Sequence, residues 1–570
     1  MGLNTSALSI GRSALLAYQQ ALQLTGNNIA NAANPIYSRQ TANFAPLRGN
    51  VGGLQLGQGV QITSIQRHVL ESLEGRLRGA LSDRDAALTR RAALNRVELL
   101  LNPLGETNLG TTINELFSAF HELQNTPEDA SVRGLVVRRG EALASSIQQT
   151  RRDLLLQRED LNADVVALTD RADVLASQIA DLNVQIASSE AGNPGAAAGL
   201  RDQRTALLQE LSSLVHVTVR EQPGGSVNVY IGNEPLIEYG TSRGLKTVQE
   251  PAGSGLLNNV VRFADDNSVA DVRSGQIAGA IEARDGGIDS QLSRLNTLAR
   301  ALIQEVNKRH ASGQGLTPWT GLTGTYAVND ANAALNTTAA GLDLTPQSGT
   351  FFIDVRDVAT GQTTRHQITV DLDGQGGNDT TLTSLAAQIM TTTGGAVTAA
   401  VQPDGRLSLN AAAGTSFSFA DDRTDVLAAL GLNTFFDGRD ASDISVNALV
   451  SASPSLVAAA TNGLGGDGSN AGLLAALVDA PVAMLGGVSL AQYHQGSAAE
   501  SAVAANAATN ALDAADVMLG SLQAQRESIS GVNLDEEAVR LVMYQRSFQG
   551  AAQYLSVVDE MLQTLLSLVR

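Results

Sequence analysis

The residues best spaced for chemistry are Gly240, Ser242 and Gly244 in GTSRG, which match G-x-S-x-G, the sharp turn that raises a nucleophilic serine. Such an elbow needs a strand before the serine and a helix after it. Here the flanks EPLIEY and LKTVQ both read as strand, so Ser242 is expected in a hairpin turn. A second candidate, DLDGQGGND at 371–379, suggests a calcium loop but lacks the five-residue run to a closing glutamate. It reads as an acidic turn between a strand and a helix. The six histidines, at 68, 121, 216, 310, 366 and 494, fall in no metal-ligand spacing and are read as surface or structural residues. With no cysteine, the chain has no disulfide, zinc finger or thiol nucleophile. No phosphate-cradling G-x-x-x-x-G-K-[ST] loop occurs. The sequence therefore predicts no catalytic residue, no cofactor and no metal site, and the chain is not read as an enzyme.

Composition narrows the partners. A net charge of -19 offers no basic field for phosphates, so nucleic acid is not expected to bind. Aromatics make up 4% of the chain and Trp319 is the one tryptophan, which argues against large aromatic-lined pockets. No apolar run reaches bilayer length, so no membrane insertion is expected. The opening MGLNTSALSIGRSALLAYQQ lacks the parts of a cleavable secretory signal and by itself predicts a cytoplasmic protein. At 570 residues the chain has room for roughly three to five domains.

The elements that stand out are long helices at both ends. Leu3, Ala7, Ile10, Ala14, Ala17, Ala21, Leu24 and Asn28 keep a 4-3 spacing, with Leu8, Leu15, Leu22 and Ile29 beside them at intervals of seven. This predicts a helix over about 4–32, ending before Pro35. At the other end Leu534, Ala538, Leu541, Phe548, Ala552, Leu555, Leu562, Leu566 and Val569 keep the same spacing, with polar Gln545 and Asp559 in register. Asn533 is placed as its N-cap, with Glu536 three residues on. Two uncovered apolar seams at opposite ends of one chain must pack on each other or on copies of themselves.

Between them, Leu154, Leu161, Leu168, Leu175 and Leu182, with Val165, Ala172, Ile179 and Ile186, mark another long helix. GNPG at 192–195 breaks it, and Leu200, Leu207, Leu211 and Leu214 return as a second arm of an antiparallel hairpin. Helices are also expected at 271–311 and 498–529. VHVTVREQPGGSVNVYIG at 215–232 alternates with period two around a turn, and residues 324–450 read as strands with one short helix at 381–394. The fold class is thus α+β and multidomain, with long terminal coiled-coil helices and a helical-bundle layer carrying nested β-rich inserts. The expected domains are a terminal assembly segment (1–33 with 531–570) and a helical core (34–214, 271–312 and 470–530). A small β-rich domain (215–270) and an outer β-rich insert (313–469) complete them.

TGNNIANAANPIYSRQTANF at 25–44, with Asn28, Asn31, Pro35, Tyr37, Ser38, Arg39 and Gln40, resembles the motif after the first helix of flagellar rod, hook and hook-associated proteins. SGVNLDEEAVRLVMYQRSFQGAAQYLSVVDEMLQTLL at 530–566 is similar to that family's C-terminal signature, and LRDQRTALLQELSSLVHVTVREQPGGSVNVYIGN and GQIAGAIEARD are family-like too. The resemblance implies a structural subunit at the junction of hook and filament. It implies synthesis in the cytoplasm, export by the flagellar type III apparatus, and assembly into a ring of copies between hook protein and a second junction protein. It also implies an export chaperone on roughly 531–570. Ile36 departs from the glycine usual at its place, and a β-branched residue resists the positive φ that glycine allows. Other readings are a sibling axial protein, a secreted protein with an activity in 324–450, and a cytoplasmic coiled-coil scaffold.

Overall fold

The computed structural model describes residues 2–51, 54–101, 108–191 and 195–568. The helices run in chain order as α1 (Gly2–Ala30), α2 (Glu71–Leu101), α3 (Leu109–Asn125), α4 (Ala130–Glu190), α5 (Ala198–Leu214), α6 (Gln276–Glu282) and α7 (Asp289–Ala311). They continue as α8 (Leu382–Thr392), the short α9 (Val426–Ala429), α10 (Ala448–Ala452) and α11 (Ser469–Ala475), then α12 (Leu490–Ser530) and α13 (Leu534–Leu568). A π-helical turn, Ala283–Ile288, interrupts the helix expected over 271–311. Leu154, Val165, Ala172, Leu175, Ile179 and Ile186 of α4 are fully buried, which follows from their heptad spacing. Among the described residues, no single helix is long and apolar enough to cross a membrane.

The chain forms two compact units. One comprises Met1–Ala93, Glu159–Arg284 and Asn506–Arg570, the other Leu94–Arg158 and Asp285–Ala505. The helical core expected as one body over 34–214, 271–312 and 470–530 is thus divided, because α2, α4 and α12 each supply residues to both units.

In the first unit, β1 (Gln40–Val51) and β2 (Leu54–Arg67) form an antiparallel ribbon that packs on α1. A four-stranded antiparallel sheet follows, from β3 (Thr218–Glu221), β4 (Val227–Ile231), β5 (Glu234–Glu238) and β6 (Thr241–Ser242). The pair β7 (Leu245–Pro251) and β8 (Leu257–Phe263) completes its strands. Leu182 and Ile186 of α4 pack with Ala197, Leu200 and Leu207 as the α4–α5 hairpin core. Gly192–Pro194, expected to break that hairpin, lie outside the described residues. Asn183 joins hairpin to sheet: its Nδ2 donates to the carbonyls of Val227 at 2.8 Å and Tyr239 at 2.6 Å, and its Oδ1 accepts from Arg204 Nη1 at 2.9 Å.

The second unit holds two three-stranded sheets. One has the order β11 (Thr363–Val370), β10 (Gly349–Asp357), β14 (Thr415–Ala420); the other is β12 (Val397–Val401), β13 (Leu407–Ala411), β9 (Gly321–Thr323). A two-residue pairing of β15 (Phe436–Asp437) with β16 (Ser445–Val446) lies beyond them. Phe351, Ile353, Phe417, Phe419, Leu382 and Leu385 share their core. His310 anchors α7 to the chain around it. Nothing of it is exposed; its Nδ1 lies 2.7 Å from the Asn433 carbonyl and its Nε2 accepts from the Ala458 amide at 2.9 Å. Burial, above all, lowers its pKa to about 4, so it sits as a neutral imidazole.

The chemical candidates take structural places. Ser242 pairs with Ile237 across the β5–β6 hairpin, whose turn is Tyr239-Gly240, and its Oγ accepts from the Gly244 amide at 3.2 Å. Strand β7 follows, where a nucleophile elbow would need a helix. Oxygens of Asp371, Asp373 and Asp379 lie within 4.8 Å of one another. Each carboxylate already accepts a bond from within the loop, from Asn378 Nδ2, the Gln375 amide and the Gly374 amide respectively.

Candidate assembly interface

The motif that follows α1 closes on the far end of the chain. Asn28, in the last turn of α1, uses its whole amide. Its Oδ1 accepts from Tyr37 Oη at 2.7 Å and from the Gln40 amide at 3.1 Å. Its Nδ2 donates to the Gln40 carbonyl at 2.9 Å and to Glu537 Oε2 at 3.0 Å. Glu537 is 1% exposed, and its other oxygen accepts from Arg39 Nε at 3.0 Å. A buried carboxylate without such partners would be strongly destabilising, and here both oxygens are met.

Arg39 also reaches Glu536, while its own amide donates to the Ser530 carbonyl at 2.9 Å. Glu536 therefore does not fold back as the third residue of a capping box. Asn533 caps α13 through its Oδ1, which accepts from the Asp535 amide at 3.0 Å. Burial works to lower the Arg39 pKa, but hydrogen bonds to Glu536 and Glu537 outweigh it and hold the guanidinium above its ordinary value. Tyr37 is pushed up to about 12, by burial first and then by the carboxylates of Asp202 and Glu537.

A second clamp comes from α12. Arg526 Nε donates to Glu74 Oε1 at 2.7 Å, both side chains being nearly buried, and its two terminal nitrogens donate to the carbonyls of Pro35 and Ile36. The turn after α1 is thus held by its backbone. Ile36 is not among the residues with positive φ, and its amide donates to Asn34 Oδ1 at 3.2 Å, so the turn forms without glycine. Ser38 is buried beside Arg67, whose Nε donates to Asp202 Oδ1 at 3.0 Å. Burial raises the Asp202 pKa, and Arg67 opposes the rise.

From this joint α1 and α13 run antiparallel. The α13 seam passes through Glu537, Leu541, Tyr544, Phe548, Ala551, Leu555, Val558 and Leu562, all buried or half-buried. Tyr18, Phe44 and Tyr544 form a tilted cluster with ring centroids 5.8–6.5 Å apart. Gly11 allows a close approach: a Cβ there would lie 2.5 Å from Leu555 Cγ.

Of the sequence candidates on α13, Leu541, Phe548, Leu555 and Leu562 face this seam, whereas Leu534, Ala538, Gln545 and Ala552 are exposed. The seam is a heptad, but its second set of positions lies one residue before the expected one, at Glu537, Tyr544 and Ala551. On α1, Ala21 is 1% exposed, Ala7, Ile10, Ala14, Leu15, Leu22 and Ile29 are half-buried, and Leu8 is 38% exposed. In the motif, Gln40 is buried, Asn31 is half-buried and Pro35 is exposed. The side chains of Leu3 and Leu566 lie outside the described residues.

Sequence reasoning missed Glu537, Arg526, Gly11 and Tyr544. The signal for two of them was present. Arg526 stands where the 519, 522, 529 register calls for an apolar residue, and Glu537 stands seven before Tyr544 and four before Leu541. A lone charge in a seam marks a specific partner.

Comparison with known proteins agrees with this geometry. Residues 523–568, spanning the Arg526 clamp and α13, match the family model described as Flagellar basal body rod FlgEFG protein C-terminal. Residues 94–324 match the model described as the Flagellar hook-associated protein FlgK helical domain. The chain is 27% identical over 318 residues to flagellar hook-associated protein 1 of Escherichia coli (strain K12), covering 54% of this chain and 58% of that protein. It is 27% identical over 349 residues to the protein of the same name from Bacillus subtilis (strain 168), covering 55% of this chain and 67% of that protein. The match thus spans little more than half the length of the Escherichia coli relative. The solved flagellar hook junction protein FlgK from Burkholderia pseudomallei superposes with a TM-score of 0.54 at 16% identity, covering 80% of this chain and 100% of that one, a likeness of fold alone. Over residues 94–324 and 523–568 the chain is thus similar to flagellar hook-associated and basal body rod proteins.

Proposed function

We propose that the chain is a structural subunit of the bacterial flagellum at the junction between hook and filament, working by polymerisation and not by catalysis. Export through the flagellar type III apparatus and a ring of copies between hook protein and a second junction protein belong to this reading. So does an export chaperone on roughly 531–570. The observation that carries it is the antiparallel α1–α13 pair, clamped at one end by Asn28, Arg39 and Glu537. One flank of α13 packs on α1, yet Val539, Met543, Val557 and Met561 remain 51–70% exposed. Each such side chain gains about 1–2 kcal/mol if a neighbour buries what is still exposed. Deleting residues 534–570 tests the reading: the rest of the chain is expected to stay soluble and to stop assembling at the hook tip. Undiminished junction formation by the truncated chain refutes it.

A further inference from the structure

We infer that Asn462 is a site of self-modification in the folded chain, where the backbone nitrogen of Gly463 displaces the side-chain amide and leaves aspartate or isoaspartate at 462. This goes beyond the assembly reading above and does not depend on it. Of all the asparagines in the chain, Asn462 alone is followed by glycine. Every other one precedes a residue whose side chain crowds the nitrogen that would attack.

The local geometry suits the reaction. Asn462 is exposed, in the turn between Ala460 and α11. Its Oδ1 accepts from the Leu464 amide at 3.0 Å, which turns the side chain back along its own backbone toward the Gly463 nitrogen. The same N–H draws electron density from the Cγ carbonyl and is placed to bond the negative oxygen that forms when Cγ is attacked. Among the described residues, nothing accepts from the Gly463 amide or from Asn462 Nδ2, so the attacking and the leaving nitrogen are both free. The side-chain amides of Asn183, Asn307 and Asn470, by contrast, are buried and donate to carbonyls.

In the first step the bond from Gly463 N to Cγ forms and the Cγ–Nδ2 bond breaks. The Gly463 amide proton leaves with Nδ2 as ammonia. Water then opens the five-membered imide. Opening at Cγ gives aspartate; opening at the main-chain carbonyl gives isoaspartate, with one more methylene in the backbone. Either product carries a new carboxylate beside Asp467, whose Oδ2 accepts from the Thr461 amide at 2.8 Å and the Asn462 amide at 3.2 Å. Two like charges there work against both bonds. Asp467 Oδ1 also accepts from the Ser469 amide at 2.9 Å, so the disturbance reaches the first residue of α11.

The test incubates the folded full-length chain at neutral and mildly alkaline pH and weighs its peptides over time. The peptide holding Asn462 is expected to gain the mass of water less that of ammonia, at least about tenfold faster than any other asparagine peptide. The gain is faster at the alkaline pH, because the attacking nitrogen must lose its proton. An intact Asn462, a rate shared with other asparagines, or conversion only after unfolding in urea overturns the proposal. Asn462→Ser keeps an acceptor for the Leu464 amide but has no amide to lose, and its peptide is expected to show no gain; a persisting gain assigns the change to a neighbour. Asn462→Asp supplies the product charge at once. Hydrogen exchange of the Thr461 and Ser469 amides is expected to quicken about tenfold in that variant; unchanged exchange overturns the effect on the loop.

Discussion

Asn28 and Glu537, 509 residues apart in sequence, share a hydrogen bond of 3.0 Å and are each 1% exposed. This contact ties the end of the first helix to the first turn of the last. Glu537→Gln keeps the shape but removes the charge that Arg39 faces. The variant is expected to lose about 2 kcal/mol in the stability of the terminal pair. Hydrogen exchange of α1 and α13 amides reads the loss directly, and protection equal to the parent chain contradicts the role assigned to this carboxylate.

Arg526 serves three acceptors at once, one carboxylate and two carbonyls. A lysine supplies the charge as a single compact head and cannot span that fork. Arg526→Lys is therefore expected to destabilise the turn at Pro35-Ile36 nearly as much as Arg526→Met, each by about 3 kcal/mol. Full rescue by lysine in a denaturation series shows that charge alone matters there.

Gly11→Leu places a side chain against Leu555. Overpacking of this kind costs about 1–3 kcal/mol and forces the helices apart. Limited proteolysis is expected to cut α13 faster in this variant than in the parent, with the α4–α5 hairpin unaffected. Equal rates at α13 argue against close helix contact at this height.

His310 predicts a pH dependence in the second unit. Its folded pKa, about 4, lies below the ordinary histidine value. Between pH 6.5 and 4 the unfolded chain binds a proton that the folded chain does not, so stability falls as pH falls through this window and levels off below it. The whole effect amounts to about 3 kcal/mol. Exchange protection of the Ala458 amide, which donates to His310 Nε2, is expected to fall over the same range. In His310→Gln that fall shrinks; an identical pH profile in the variant assigns it to other groups.

The amino-acid sequence by itself determined the local elements, because they follow from short-range rules. The heptads of α4, the N-cap at Asn533, the alternation around Pro223-Gly224-Gly225 and the stop before Pro35 each depend on residues within a turn or two. The absence of an elbow at Ser242 was legible for the same reason, since a strand follows where a helix is required.

Only the tertiary structure decided which stripe of α13 is covered. Ala538 and Ala552 are as apolar as the Ala551 and Val558 that were chosen, and two adjacent stripes of one helix satisfy the same period. The choice was made by what stands opposite: Gly11 making room for Leu555, and Asn28 and Arg39 stabilising Glu537 at a position where charge is otherwise costly. Those partners come from the other end of the chain, beyond the reach of any local pattern. The division of α2, α4 and α12 between two units is likewise a matter of long-range packing, since a continuous helix carries no mark in its own sequence where its neighbours change.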